Sequence, residues 1–123
     1  MSRGYLSLSE AFKRVVKRRL KLAAMRSRYQ ESLRRFKSEL AHHLKSRVRV
    51  LVFGSVAEGR SGPLSDVDVL VICDEFKELE KRLKTYDLAR QVFGTPNPFE
   101  LHLVTLEEFE WYRKFISNYE EIT

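Results

Sequence analysis

Cysteine is almost absent. Cys73 is the only one in 123 residues, so no internal disulfide can form, and no zinc-ligand spacing occurs. Glycine and proline are also sparse, at five and three, and neither falls between Tyr5 and Phe53. That excludes a turn-rich beginning and leaves room for a long helical stretch. No apolar run approaches the roughly 20 residues of a membrane span, and the N-terminus lacks the apolar core of a secretory signal. A cytoplasmic protein without membrane contact is therefore expected. Internal repeats, low-complexity tracts and Ser-His-Asp or Cys-His sets are missing too. The length suits one domain with a modest core and leaves little room for a separate acceptor-binding domain.

Acidic residues are scarce at one end only. Residues 1–47 hold 14 Lys+Arg against three Glu and no Asp, whereas residues 48–123 hold nine Lys+Arg against 14 Asp+Glu. The net charge of +6 hides this division. Such asymmetry fits contact with RNA or an acidic protein through the N-terminal segment, or a solvated helix face. Ser7-Leu8-Ser9-Glu10 has the form of a capping box, which predicts one long helix or two abutting helices over residues 9–44. In its later half Tyr29, Leu33, Phe36, Leu40 and Leu44 recur every three or four residues and form one apolar stripe. Phe12, Val15, Val16, Leu20 and Leu22 form a looser one among lysines and arginines. It can pack on the sheet of its own chain, meet a partner or meet a second copy. The expected division is a basic helical segment, residues 1–46, followed by a core, residues 47–123.

That core reads as alternating strands and helices. Val48 to Phe53 is nearly all apolar, as befits a strand buried on both faces, and it delivers Gly54-Ser55. A short helix over Val56 to Glu58 is expected there, with Gly59, Gly62 and Pro63 turning the chain back. Asp66 to Cys73 is the second strand. Residues two apart in a strand share a face, so the carboxylates of Asp66 and Asp68 project together with Leu70 and Ile72, while Val67, Val69 and Val71 point the other way. Two carboxylates so close repel each other unless a cation sits between them, and Mg²⁺ takes hard oxygen ligands together with water and phosphate. Asp74 is placed to cap a helix over Glu75 to Phe93, with Phe76, Leu79, Leu83, Tyr86 and Arg90 or Phe93 facing inward. Phe99 to Val104 is the third strand, with Glu100 and His102 on one face. Thr105 and Glu108 form a second capping box, opening a helix to about Tyr119 whose stripe is Phe109, Tyr112, Phe115, Ile116 and Tyr119. That is more aromatic surface than docking on three strands needs, so part of it suits an interface.

Gly54-Ser55, ten residues and then Asp66-Val67-Asp68, with Glu100 on a later strand, resembles the signature of the DNA polymerase β-like nucleotidyltransferase superfamily, in its minimal nucleotidyltransferase branch. The resemblance implies an α+β fold, a small mixed sheet packed by helices and carrying here a long basic N-terminal helix. It implies two Mg²⁺ ions about 4 Å apart, held by Asp66, Asp68 and Glu100. Gly54, Ser55 and Ser65 would bind the nucleotide, with ATP as donor, and Glu100 would also help take the acceptor proton. In the family such small chains are often paired with a HEPN-type helical toxin, so the implied reaction is transfer of AMP to a tyrosine of that partner, an antitoxin role. Glu58 stands where family members carry Arg, and Arg60 follows two residues later. This leaves open a catalytically silent antitoxin that works by contact, and the basic helix leaves open an RNA-directed enzyme or RNA-binding protein.

Overall fold

The computed structural model describes residues 8–60, 62 and 66–123. Ser7 of the first capping box, Pro63 of the expected turn and Ser65 of the expected nucleotide site lie outside them. Two helices come first, α1 (Leu8–Ser27) and α2 (Tyr29–His43). No glycine or proline parts them. The hydroxyl of Ser27 donates to the carbonyl of Ala24 at 2.8 Å, and Arg28 leaves helical geometry at φ −117 and ψ 29. A serine that bonds back to the preceding turn competes with the helical ladder, which accounts for a break at that point.

Strands β1 (Arg49–Phe53), β2 (Val67–Ile72), β3 (Phe99–Val104) and β4 (Tyr119–Glu121) form one mixed sheet in the order β3-β2-β1-β4. β1 runs antiparallel to both β2 and β4, and β2 runs parallel to β3. The crossover between the parallel pair carries a 3-10 turn, Asp74–Lys77, and helix α3 (Leu79–Phe93). The short α4 (Leu106–Tyr112) follows β3.

The strand periodicity divides the core in two. Val50, Val52, Val67, Val69, Val71 and Leu103 face α2 and α3, where they meet Leu33, Phe36, Leu40, Leu88 and Phe93. Phe93 links the layers, with ring centroids 5.0 Å from Phe36 and 4.3 Å from Phe99. On the opposite face Leu51, Leu70, Ile72 and Val104 pack with Phe109 of α4. Since Leu33, Phe36 and Leu40 are fully buried, α2 belongs to the core, and the expected division at residue 46 cuts through a packed layer. By contrast, Phe12, Val15 and Leu20 of α1 are 68, 49 and 65% exposed, so the first stripe does not pack on the sheet of its own chain.

Three expectations fail in this part of the chain. The inward face of α3 is Thr85, Leu88, Ala89 and Phe93, while Leu79 and Leu83 are exposed. Glu78 is extended at φ −91 and ψ 124, so helical phase restarts at Leu79 and a stripe counted from Phe76 does not continue. Asp74 does not cap that helix; its Oδ1 accepts from the Leu106 amide at 3.2 Å and so serves the start of α4. The capping box of Thr105 and Glu108 is formed as expected, but α4 ends at Tyr112 and the chain turns back to make β4. There Ile122 is buried, Ile122 N–H donates to Val50 O at 2.9 Å, and Arg49 reaches both carboxylate oxygens of Glu121 at 2.9 and 2.8 Å. The sheet therefore has four strands rather than three.

Candidate active site

β1 ends against the start of β2, and the site forms at that junction. Phe53 pairs with Asp68 in the antiparallel register, so the next residue, Gly54, turns directly beside the Asp68 carboxylate. Gly54 has φ +76, and a Cβ built on it would lie 2.5 Å from Asp68 Oδ2. The backbone conformation disfavours a side chain, and any Cβ would oblige the Asp68 carboxylate to move. The chain then makes a hydrogen-bonded turn in place of the expected short helix: Glu58 N–H donates to Gly54 O at 3.1 Å, and Arg60 N–H to Ser55 O at 2.8 Å. Arg60 also pairs with the Glu58 carboxylate, which brings a cation to this turn despite the acidic residue at position 58.

On the other side of β2, the parallel register sets Asp68 opposite Glu100 and Leu70 opposite His102. One ligand atom each from Asp68, Glu100 and His102 lies within 4.8 Å of the others. His102 Nε2 is 4.0 Å from Asp68 Oδ1 and 4.0 Å from Glu100 Oε1. The ring of His102 is held by Phe53 at 5.4 Å and Tyr112 at 6.5 Å between centroids. Burial raises the proton affinity of Asp68 above its ordinary value, and the charge of Glu100 raises it further; His102 offsets part of this, while a Glu100 hydrogen bond and the charge of Asp66 add to it. Such a pair gains from a cation, since nearby like charges disfavour ionisation and an opposite charge restores it.

Asp66 occupies a different position. β2 begins at Val67, so Asp66 lies one residue outside the strand, is exposed, and is not part of the three-residue cluster, although its charge is felt by Asp68. The structure thus gathers Asp68, Glu100 and Gly54, with His102 as an additional member, while Ser55 follows Gly54 in the turn and its carbonyl accepts from the Arg60 amide. The sequence signal for His102 was its place two residues after Glu100 on the same strand face. The donors fit one hard divalent cation: two carboxylates are the protein share that Mg²⁺ commonly takes, with water and phosphate completing its shell.

A glycine turn closes on a strand carboxylate, with a second carboxylate in register on the parallel neighbour, so this α+β fold presents a group of side chains that could hold a metal ion. The chain belongs to the nucleotidyltransferase domain family, whose model matches residues 33–121, from within α2 through β4. A Methanocaldococcus jannaschii protein named as a putative protein adenylyltransferase is 37% identical over 60 residues, which make up 48% of this chain and 61% of that relative. The chain thus spans less than two thirds of that relative. A solved structure described as a putative nucleotidyltransferase superposes with a TM-score of 0.61 at 25% identity, covering 77% of this chain and 98% of the other. A second, from Sulfolobus solfataricus and described in the same words, shares the fold at a TM-score of 0.57 and 16% identity, covering 82 and 85%. Helix α1 lies outside the matched region. No helix among the described residues is long and apolar enough to cross a membrane.

Proposed function

We propose that the chain transfers AMP from ATP to a hydroxyl group of an acceptor protein. The observation that carries this reading is the packing of Gly54 on Asp68 with Glu100 in register beside it, which brings a backbone turn suited to phosphates within reach of two carboxylates. The acceptor oxygen attacks the α-phosphorus, a new O–P bond forms, the bond to the β-phosphate oxygen breaks, and pyrophosphate leaves. Gly54 and Ser55 hold the β- and γ-phosphates, and Glu100 takes the hydroxyl proton. Mg²⁺ bound by Asp68 and Glu100 would neutralise charge at the α-phosphate, and Asp66 is the residue available for a second ion.

The acceptor in this reading is a tyrosine of a HEPN-type helical partner, which would make the chain an antitoxin. The relative named as a putative protein adenylyltransferase supports a protein acceptor. A second reading, an RNA acceptor, is favoured by one feature: α1 presents Lys13, Arg14, Lys17, Arg18, Arg19 and Lys21 on an exposed helix. ATP labelled at either the α- or the γ-phosphate, incubated with Mg²⁺ and the purified acceptor or host extract, separates these readings. Label from the α position on protein, lost in Asp68→Ala, is the expected result. Label on RNA replaces the acceptor class, and transfer from the γ position refutes nucleotidyl transfer.

A further inference from the structure

Beside the Gly54 turn lies a cavity of about 280 Å³, walled by half-buried Phe53, Tyr112 and Ile116 and by the exposed Trp111 and Phe115. We infer that this cavity seats the base of the donor nucleotide; the inference rests on the nucleotidyl-transfer reading and adds the subsite that selects the donor. Gly54 and Phe53 are shared between the cavity and the carboxylate site, so a ligand held at the turn has the cavity as its neighbour. Ligand pockets generally run from about 300 Å³ upward, so this one suits part of a nucleotide rather than the whole.

Its chemistry says which part. No Lys or Arg lines it, and the Glu58 at its edge is already paired with Arg60, so the lining offers a phosphate group no cation of its own and admits a neutral group. Trp111 and Phe115 are 58 and 70% exposed and form a tilted pair with centroids 4.8 Å apart, and Trp111 also meets Tyr112 edge-on at 5.5 Å. Flat aromatic surface of this kind is what a nucleobase stacks on, and stacking accepts any base because each has a π-face. Glu58 and Asn118 at the lining supply hydrogen-bonding groups for the base edge. Glu58 pairs with Arg60 through one carboxylate oxygen, and its other oxygen is the acceptor for an exocyclic amine such as that of adenine.

Trp111 is the only tryptophan, so its emission reports on this wall alone. With Mg²⁺ present, ATP and adenosine are expected to change that emission saturably. Tripolyphosphate should displace α-labelled ATP in equilibrium dialysis yet leave the emission unchanged. Phe115→Ala, at an exposed position where folding is not at stake, should weaken ATP binding about tenfold while leaving tripolyphosphate affinity and the thermal midpoint as they were. Bound ATP with silent Trp111 and an unaffected Phe115→Ala variant overturns the base pocket and leaves nucleotidyl transfer standing. No ATP binding at all overturns both. A Phe115→Ala variant that keeps ATP but loses its protein acceptor assigns the aromatic pair to protein docking and overturns the inference.

Discussion

Replacing Gly54 by alanine tests the centre of the site. Two separate penalties act there. At φ +76 an L-residue is strained, by about 1–2 kcal/mol for an alanine. In addition the new Cβ would sit 2.5 Å from Asp68 Oδ2, where ordinary contact starts at 3.4 Å, so the carboxylate must retreat by about 0.9 Å. The conformational penalty corresponds to a fall of about 4–8 °C in thermal midpoint for a chain of this size. The displacement acts on chemistry instead: a shift near 1 Å in a reacting group costs about 100-fold in rate. Gly59→Ala separates the two effects, because Gly59 has φ +71 but nothing within 4 Å of its added Cβ. Circular dichroism melts and α-label transfer rates on both variants provide the comparison. Similar melting losses are expected, with the 100-fold rate loss confined to Gly54→Ala. Equal activity in the two variants would refute the claim that Gly54 exists to admit the Asp68 carboxylate.

Asp68→Asn should abolish transfer without lowering stability. Burial and the Glu100 charge raise the Asp68 pKa, so the folded state is favoured below the unfolded pKa, and that advantage is lost as pH rises through the folded one. At neutral pH in EDTA the variant should therefore melt no lower than wild type, and Mg²⁺ should raise the midpoint of wild type only; a variant melting well below wild type would make the carboxylate structural. Glu121→Gln tests β4. The Arg49 hydrogen bond holds Glu121 below its ordinary value of 4.5, so its contribution is present above that pH and lost as pH falls through the lower folded value. With side chains 24 and 32% exposed the pair contributes at most about 1 kcal/mol. A urea-midpoint difference at pH 7 that shrinks as pH falls below 4.5 is expected, and one that persists unchanged under strongly acidic conditions would contradict the ion-pair reading.

Residues whose role is set by their near neighbours were legible in sequence. The apolar run ending in Gly54, the valines alternating with Asp68, Leu70 and Ile72, the α2 stripe and the Thr105–Glu108 capping box all depend on local periodicity or local hydrogen bonding. Asp74, β4 and the true face of α3 were not, because each depends on a distant partner or on one non-helical residue. Asp74 is explained only by the Leu106 amide, and the three residues of β4 only by β1 and Arg49. Asp66 shows the limit of the period-two rule: the alternation holds within a strand, and the strand starts one residue later.

The same distinction explains why the site depends on parts of the molecule far from it. Asp68 and Glu100 come together through the β2–β3 register, and nothing in either strand alone fixes that register. A one-residue slip would set Leu101 opposite Asp68 and turn Glu100 to the α2–α3 face, because side chains alternate. The register is pinned at both ends, by Val67 N–H donating to Pro98 O at 2.8 Å and Cys73 N–H to Val104 O at 3.0 Å. Between them Val69, Val71 and Leu103 are locked into the layer under α2 and α3, where a slip would bury Glu100 and His102 in apolar surroundings. The helices that never touch the carboxylates are therefore what keeps the carboxylates opposed. Cavities cut beneath β3 from the α3 side should disturb the site before they disturb the turn at Gly54.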